Sequence, residues 1–471
     1  MSKQDQKELR QQIACEWLEE NYLQFGHLRH DVVGDRLQIR IPNLESLEDA
    51  PSELQFRGKD IWRNLTDKDI NTMVCNCVMD QQINIAPSEI WTALRSDMIP
   101  SVHPLRDWLN ALRPYTADQP DWIDFVASQV TVKASPESND RPNGLLEVRP
   151  SEGLLDRSYG AERPTNLTGE RSEADRLWRA CFKKWFVAMV ASWMKDEVVN
   201  HTVLVLVGRQ GIFKTTWLDH LIPPALRAYS SKLPLSGQIS KDDRLRLCEN
   251  GLLNMDELDA ICGREMNIVK SLLTSTDVNE RAAYGRLKER RVRLASFCAS
   301  TNNREFLTDI TGNRRWLPFE VESIQNPFYT TLPYELIYAQ AKALVEDGMF
   351  EYWFNLEEIE QLEKHNEEFR ALENEEQLIP IYFAVPAIGS KNAKFLTTAE
   401  ISEKLVTLGN IKRPMSLTKL GIILKNNGFM SSRQGNPARR GWIVYERDSE
   451  GVEAERRILS KSALATCDTY F

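Results

Sequence analysis

The amino-acid sequence predicts an α/β protein built on a parallel β-sheet. Three apolar stretches carry this prediction: VLVLV at residues 203–207, GLLNM at residues 251–255 and LASFCAST at residues 294–301. VLVLV is continuous and β-branched, which is typical of a strand buried on both faces of a parallel sheet. It leads through a glycine turn into an apolar helix that begins near Lys214, so this segment is expected to fold as strand, turn and helix.

The length of the chain sets the expected number of domains. It has 471 residues, of which 42% are hydrophobic. A single core rarely grows beyond about 250 to 300 residues, so two or three domains are expected. No run reaches the roughly 18 uncharged apolar residues that span a bilayer, and the first residues, MSKQDQKELRQQ, contain no apolar secretory segment. We therefore expect a cytoplasmic protein that does not enter a membrane.

Cysteine content and net charge restrict the classes of ligand. The eight cysteines are scattered through the chain, mostly among apolar neighbours, as is usual for reduced, buried thiols. Cys75 and Cys77 have no second Cys or His pair in reach, so core packing is favoured over zinc binding. The net charge of −9 argues against non-specific coating with nucleic acid and leaves room for local basic patches.

Two breaks divide the chain. Residues 134–172 are rich in Pro, Ser, Gly and charge without a sustained period, which indicates a linker. Residues 385–394 form a shorter break. The expected parts are a mostly helical N-terminal module at residues 1–133, the linker, a core domain at residues 173–384 and a C-terminal domain at residues 395–471.

The turn after VLVLV has most features of a phosphate-binding loop. Such a loop needs inward-facing backbone N–H groups, a lysine that reaches the β- and γ-phosphates and a hydroxyl that holds Mg²⁺. Gly208, Gly211, Lys214 and Thr215 stand at the required offsets. Phe213 departs from the pattern, because a glycine is usual there; a negative φ at this position would aim its ring outward. An ordinary strand-turn-helix is the alternative. The candidate nucleotide-binding residues are Gly208, Gln210, Gly211, Ile212, Phe213, Lys214, Thr215 and Thr216.

Polar side chains follow the next two strands. Asp256 and Glu257 come directly after GLLNM, where an α/β nucleoside triphosphatase places a magnesium-water ligand and a group that polarises the attacking water. A solvated turn is the alternative. Asn302 follows the third strand, where its amide is placed to contact the γ-phosphate or the attacking water. These residues predict a nucleoside triphosphate as ligand, with Mg²⁺ held by Thr215 and Asp256; the choice of ATP follows from the resemblance given below.

Two adjacent arginines, Arg314 and Arg315, precede the next apolar strand in TGNRRWLP. Paired arginines are suited to bind an anionic group, and in a ring of identical subunits that group can be the γ-phosphate of a neighbour. Ordinary surface charge is the alternative.

The C-terminal part has the pattern of a winged helix. Two short helices are expected at LTTAEISEKLVTLG, with capping residues Thr397 and Glu400, and at SLTKLGIILKNNGF. A turn and the strand WIVYE follow. Two helices with a basic hairpin suit duplex DNA, and a protein-docking winged helix is the alternative. The basic residues of the hairpin are Arg433, Arg439 and Arg440.

Four motifs in order, GRQGIFKTT, NMDELD, FCASTN and TGNRRWLP, resemble the ATPase domain of the virulence-associated protein E family, a branch related to the superfamily 3 (AAA+-like) helicases. The resemblance covers about residues 175–325 and is weaker upstream. These proteins occur in phages, plasmids, transposons and chromosomal islands. The resemblance implies that Lys214 and Thr215 form the Walker A pair, Asp256 and Glu257 the Walker B pair, Asn302 the sensor, and Arg314 or Arg315 the arginine finger.

The resemblance also implies an assembly and nucleic-acid partners. Superfamily 3 enzymes place a hairpin before the sensor strand, where it projects into the pore of the ring and grips the nucleic-acid backbone. The basic stretch AAYGRLKERRVRLASF stands at that position, and a charged, exposed hairpin without such a role is the alternative. A homo-oligomer, expected to be a hexamer, and a separate primase or replication protein are the implied partners. The candidate hairpin contacts are Arg286, Lys288, Arg290, Arg291 and Arg293.

The sequence as a whole predicts a P-loop ATPase of the AAA+ or superfamily 3 helicase type, with an N-terminal helical module and a C-terminal winged-helix domain. The favoured function is an ATP-dependent DNA helicase, translocase or replication initiator of a phage or mobile genetic element. Single-stranded DNA would lie in the ring pore and duplex DNA at the winged helix. The first alternative is an ATP-driven regulatory or defence switch that binds nucleic acid or protein without unwinding. The second is a DNA-binding scaffold that hydrolyses nothing.

Overall fold

The computed structural model of the chain describes residues 2–41, 61–133, 172–233, 240–256, 258, 263–280, 288–307, 313–371, 374–386, 392–409, 411, 414–435 and 438–467. The expected linker, apart from Ser172, lies outside these residues. The chain divides into two compact units, Met1–Phe369 and Arg370–Phe471. Among the described residues, no helix is both long enough and apolar enough to cross a lipid bilayer.

The helices and strands are numbered in chain order. Short helical turns of other types lie at Glu19–Leu23, Pro224–Tyr229, Asn313–Arg315 and Glu367–Phe369. The α-helices are α1 (Lys3–Leu18), α2 (Asp67–Gln81), α3 (Pro87–Leu94), α4 (Pro104–Asn110), α5 (Trp122–Ala127), α6 (Glu173–Met194), α7 (Lys214–Asp219), α8 (Lys241–Glu249), α9 (Gly263–Thr274), α10 (Tyr334–Asp347), α11 (Leu356–Asn366), α12 (Asn374–Tyr382), α13 (Thr398–Gly409), α14 (Leu417–Asn426) and α15 (Ser449–Cys467). The strands are β1 (Leu28–Asp31), β2 (Arg36–Ile41), β3 (Ile61–Asn64), β4 (Ser101–Val102), β5 (Val130–Val132), β6 (Val203–Val207), β7 (Ser230–Lys232), β8 (Leu252–Met255), β9 (Asp277–Glu280), β10 (Glu289–Val292), β11 (Ser296–Thr301), β12 (Trp316–Ile324), β13 (Phe383–Ala384), β14 (Lys394–Leu396), β15 (Met430–Gln434) and β16 (Arg439–Glu446).

A six-stranded sheet in the order β5-β12-β6-β11-β8-β7 forms the centre of the first unit. Five of its strands run parallel, and β5 adds an antiparallel edge. Every residue of β6, β8 and β11 is buried, as their apolar runs predicted. Because β6 lies between β11 and β12, the chain crosses over on both sides of β6. Ligands of open α/β sheets bind at the carboxyl edge at such a point.

Helix α6 packs a stripe of large side chains into the core that the sheet shares with the surrounding helices. Its predicted core positions, Trp178, Phe182, Phe186, Met189 and Trp193, are at most 1% exposed. The indole N–H groups of the three tryptophans of α6 all donate to backbone carbonyls; that of Trp193, for example, donates to the carbonyl of Gly251 at 3.1 Å. The apolar rings are therefore buried without an unsatisfied donor.

The N-terminal part contains a sheet that the sequence analysis did not predict. Helices α1, α2 and α3 form their own core, with Leu18, Met73 and Ile90 buried. Strands β1 to β4 form a four-stranded sheet in the order β3-β2-β1-β4. Helix is still the commoner structure in this region, but the expected mostly helical module also carries this small sheet.

The expected boundary at residue 133 separates elements that share one core. Leu105 of α4 and Ile123 of α5 belong to the same apolar cluster as Trp178. Strand β5 pairs with β12 of the central sheet. Residues after Val102 therefore pack with the central sheet rather than with the N-terminal helices.

The second unit contains a helix pair and an antiparallel sheet. The predicted caps are present: the hydroxyl of Thr397 accepts from Glu400 N at 3.3 Å, and Gly428, with a φ of 81°, ends α14. β16 pairs with β13, β14 and β15. Helix α12 and strand β13, which the sequence analysis assigned to the core domain, lie in this unit because β13 pairs with β16.

Candidate nucleotide-binding site

The loop from Gly208 to Phe213 leads from the carboxyl end of β6 into α7. At Gly208 a Cβ atom would lie 2.9 Å from the carbonyl oxygen of Val321, so only glycine fits there. Gly211 has a φ of 87°. The turn therefore depends on glycine at two of its predicted positions.

Phe213 takes the conformation that a glycine would have at its position. Its φ is 67°, so the negative φ that would have aimed the ring outward is not present. The turn into α7 requires the left-handed region here, which disfavours an L-residue by about 1–2 kcal/mol. The ring packs edge-on against Phe328, with centroids 6.4 Å apart. This contact offsets part of the backbone strain.

Lys214 points back into the loop. Its side chain is buried, and Nζ donates to the carbonyl oxygens of Gly208 at 2.6 Å and Arg209 at 2.7 Å. Nζ also donates to Oδ1 of Asn302 at 3.0 Å, and Asn302 directly follows β11. The predicted lysine and sensor amide are therefore in contact, at the carboxyl ends of two adjacent strands.

Thr215 and Asp256 are also brought together. The Thr215 hydroxyl donates to Oδ1 of Asp256 at 2.9 Å. Two residues that the sequence analysis missed join them: the Ser300 hydroxyl donates to the same oxygen at 2.8 Å, and Nζ of Lys232 donates to Oδ2 at 3.0 Å. Ser300 stands two residues before Asn302, which puts both side chains on one face of the strand. That spacing is a signal that could have identified Ser300.

The hydrogen bonds around Asp256 determine its charge. Burial raises the pKa of Asp256, but the hydrogen bonds from Lys232, Ser300 and Thr215 outweigh it and hold the pKa below its usual range. An ionised carboxylate with neighbouring hydroxyls is a set of hard oxygen donors that suits Mg²⁺. Glu257 lies outside the described residues, so its catalytic role stays a prediction.

Arg314 and Arg315 lie at the amino ends of the parallel strands, whereas Lys214 lies at the carboxyl ends. They immediately precede β12, which runs parallel to β6 with Trp316 beside Val203. The loop that carries Lys214 follows the far end of β6, and strand rise puts the two ends about 13 Å apart. Arg314 is exposed and Arg315 is partly exposed. In the part of the chain that the structure describes, neither guanidinium forms an ion pair.

The hairpin expected before the sensor strand is formed by β9 and β10. Lys288 and Arg290 are exposed; Arg290 pairs with Asp277 at 2.8 Å, but its side chain is still 76% exposed. Arg286 falls in residues 281–287, which lie outside the described residues. Two of the five predicted basic contacts therefore face solvent in the described part of the hairpin.

Arg291 and Arg293 are not available for nucleic acid, which corrects the sequence-based expectation. Arg291 is largely buried, pairs with Glu249 at 3.3 Å and donates to the carbonyl of Val33. Arg293 is fully buried. Both arginines hold elements of the first unit together. The guanidinium of Arg293 donates to the carbonyl oxygens of Asn200, Leu272, Leu273, Ser275 and Ala295.

The predicted arginines of the C-terminal part lie on the β15–β16 hairpin. Arg433 stands directly opposite Arg440, and Arg439 pairs with Gln434. All three arginines are exposed. Like charges directly opposite each other disfavour the hairpin, so an anionic partner would relieve their repulsion.

The fold and these contacts define an α/β protein with a lysine, hydroxyls and a carboxylate gathered at the carboxyl edge of a parallel sheet. Residues 162–371 match the family model of the virulence-associated protein E-like domain. The chain therefore carries a virulence-associated protein E-like domain, and the resemblance drawn from the four motifs is confirmed. No curated protein has a sequence that matches the chain.

Several solved structures are similar at low identity. Two apo structures of the C-terminal region of NrS-1 are 9% identical, cover 92% of this chain and 99% of that chain, and have TM-scores of 0.41 and 0.40. A structure of SCCmec type IV Cch, described as an active helicase, is 9% identical and covers 89% of this chain and 92% of that chain, with a TM-score of 0.32.

Proposed function

We propose that the chain is an ATP-dependent DNA helicase, translocase or replication initiator of a phage or other mobile genetic element. The observation that carries the proposal is the convergence of Lys214, Thr215, Asp256 and Asn302 at the carboxyl edge of the sheet. These four residues follow three parallel strands, β6, β8 and β11, because Lys214 and Thr215 share the loop after β6. Their types match the needs of a nucleoside triphosphate with a divalent cation. The virulence-associated protein E-like domain supports the same class of function.

Binding of ATP would exchange the contacts of Lys214. Its ammonium group, held by the carbonyls of Gly208 and Arg209, would turn to the β- and γ-phosphates. The backbone N–H groups of the loop would donate to the phosphate oxygens. They include those of Gln210, Gly211, Ile212 and Thr216. Asn302, released from Lys214, would contact the γ-phosphate or the attacking water.

Thr215 and Asp256 would hold Mg²⁺, and Ser300 would orient the carboxylate through its 2.8 Å hydrogen bond. The ion, when bound, neutralises charge on the phosphate oxygens. Glu257 would accept a proton from the attacking water. The chain's own residues thus divide into phosphate binding by Lys214, metal binding by Thr215 and Asp256, and water activation by Glu257.

The arginines imply an assembly. Arg314 and Arg315 lie at the amino edge of the sheet, away from the Lys214 of their own chain. We infer that they act on the γ-phosphate bound by a neighbouring chain, as arginine fingers do in other triphosphatases. A closed ring, which we propose to be a hexamer, supplies such a neighbour to every site.

Two exposed basic surfaces are proposed for DNA. The β9–β10 hairpin presents Lys288 and Arg290 to the backbone of a single strand in the ring pore. Arg286, which precedes Lys288 in the chain, is proposed to contact the same strand. The β15–β16 hairpin, as the wing of a winged helix, presents Arg433, Arg439 and Arg440 to a duplex. A separate primase or replication protein would act with the motor.

One observation favours the alternative of an ATP-driven switch. Arg291 ties the base of the β9–β10 hairpin to Val33 of the N-terminal part. A hairpin held in this way is restricted in the movement that a translocating motor needs. The switch would bind nucleic acid or protein in response to ATP and would not separate strands.

The rate of ATP hydrolysis with and without single-stranded DNA tests the proposal. We expect hydrolysis that DNA stimulates, and none in Lys214→Ala. Displacement of a labelled strand from a partial duplex then separates the motor from the switch. A purified protein that binds DNA and hydrolyses no ATP would leave only a DNA-binding scaffold.

A further inference from the structure

Two large aromatic side chains are exposed beside the candidate phosphate loop. Phe328 is 69% exposed and Tyr329 is 88% exposed, in the segment between β12 and α10. Burying an aromatic ring is strongly favourable, so we expect two adjacent exposed rings on an ordered loop to bind a partner or ligand.

The segment that carries these rings is held in place. The amide N–H of Phe328 donates to Oδ1 of Asn326 at 3.0 Å, and that of Tyr329 donates to the Asn326 carbonyl at 3.1 Å. At its far end the hydroxyl of Tyr334 donates to the carbonyl of His220 at 2.6 Å. His220 directly follows α7, so the aromatic segment is fastened to the helix that begins with Lys214.

Phe328 contacts both ends of α7. Its ring lies edge-on to Phe213, which precedes the helix, and to His220, which follows it, with centroids 6.4 Å and 5.6 Å apart. Helical rise puts Lys214 and His220 about 9 Å apart. Phe328 therefore lies alongside α7, at a distance from Lys214 that the ribose and α-phosphate of a nucleotide can bridge.

We propose that Phe328 stacks on the purine base of the nucleoside triphosphate whose phosphates the loop binds. The inference rests on the proposed function of that loop. Every base offers a π-face to an aromatic ring. Phe328 packs nearly perpendicular to Phe213 and His220 and is still 69% exposed, so a face of its ring can meet a base. The proposal also gives Phe213 a role: the ring at the usual glycine position supports Phe328.

The test compares two ligands that share the phosphates. Dissociation constants for ATP and for inorganic tripolyphosphate, both with Mg²⁺, are measured for the wild type, Phe328→Ala and Phe328→Trp. Phe25→Ala is the matched control, because Phe25 is also an exposed aromatic side chain, 56% exposed, and lies in the N-terminal part. Lys214→Ala reports on the phosphate site.

We expect Phe328→Ala to weaken ATP binding about tenfold to a hundredfold, the range of a lost base stack, and to leave tripolyphosphate binding unchanged. Phe328→Trp and Phe25→Ala should bind ATP like the wild type. Unchanged ATP binding in Phe328→Ala, or an equal loss of binding for both ligands, would contradict stacking of the base on Phe328. The proposed phosphate site would not be affected by that result. A wild type that binds neither ligand would overturn the proposed function together with it.

Discussion

The hydroxyl of Thr215 donates to Oδ1 of Asp256 at 2.9 Å, although the two residues stand 41 positions apart in the chain. Thr215 belongs to the first turn of α7 after β6, and Asp256 directly follows β8. Strand β11 lies between β6 and β8 and adds Ser300 to the same carboxylate. Three strand ends therefore build one group of oxygen donors.

Replacing Asp256 with Asn should weaken the binding of ATP only when Mg²⁺ is present. The amide keeps the shape of the side chain and loses the negative charge, and we expect about a 10- to 100-fold higher Kd for Mg-ATP. Titration calorimetry with Mg²⁺ and with EDTA measures both states. Asp242→Asn, which changes an exposed acid of α8, is the control. Equal weakening with and without Mg²⁺ would remove Asp256 from the metal site.

Lys214→Ala and Glu257→Gln should separate binding from turnover. The lysine contacts phosphate, so its loss should abolish nucleotide binding. The glutamate acts on water, so Glu257→Gln should retain binding and stop hydrolysis. Kd for ATP and the steady-state hydrolysis rate are measured on both variants. If both variants lose binding to the same extent, these two roles are wrongly assigned.

The positive φ of Phe213 predicts that glycine is more stable than alanine at this position, which reverses their usual order. Glycine is ordinarily less stable than alanine in a folded chain, but at a φ of 67° alanine keeps the strain that glycine avoids. We expect Phe213→Gly to unfold with a free energy about 1 kcal/mol higher than that of Phe213→Ala.

Urea denaturation of the two Phe213 variants measures this difference. Because both variants lack the ring, the lost contact with Phe328 affects both free energies of unfolding and drops out of the comparison. We also expect Phe213→Gly to hydrolyse ATP within about tenfold of the wild-type rate. A rate gain well beyond tenfold would show that phenylalanine impairs the loop. Phe213→Ala at least as stable as Phe213→Gly would argue against the left-handed conformation.

Arg290 and Arg293 should respond in opposite ways to truncation. Arg293→Met leaves several buried carbonyl oxygens without a donor, at about 1–3 kcal/mol for each one that stays unsatisfied, so it should destabilise or unfold the first unit. Arg290→Ala should leave the melting temperature within about 2 °C, since exposed positions rarely matter for stability, and should weaken binding of single-stranded DNA. A stable Arg293→Met protein with impaired DNA binding would restore the nucleic-acid role of Arg293.

The part of the site that could be predicted follows from one rule of parallel sheets. Lys214, Asp256 and Asn302 each follow an apolar run, and the carboxyl ends of parallel strands meet at one edge. Ser300 lies inside such a run, and only its spacing of two residues from Asn302 indicates that its side chain shares the face that meets the site. Lys232 ends a strand of three residues, too short to show a period.

Three features that the sequence did not predict depend on tertiary contacts: the burial of two arginines, the N-terminal sheet and the positive φ of Phe213. The alternation of a strand places Arg291 and Arg293 on one face and Lys288 and Arg290 on the other, but only burial against distant carbonyl groups shows which face is buried. The N-terminal sheet was missed because its strands are short and β3 lies far along the chain from β2. The positive φ of Phe213 is imposed by the turn into α7, against the preference of the residue.

Mixing two inactive variants tests whether neighbouring chains build one site. Arg314→Ala and Arg315→Ala should each bind ATP and lose hydrolysis, and Lys214→Ala lacks the phosphate contact. In a mixed ring, some interfaces join an intact loop from the arginine variant to intact arginines from the lysine variant. We therefore predict that hydrolysis partly returns when either arginine variant is mixed with Lys214→Ala. No recovery at any mixing ratio, with subunit exchange confirmed, would contradict a site shared between chains, as would a strictly monomeric mass with ATP and DNA present.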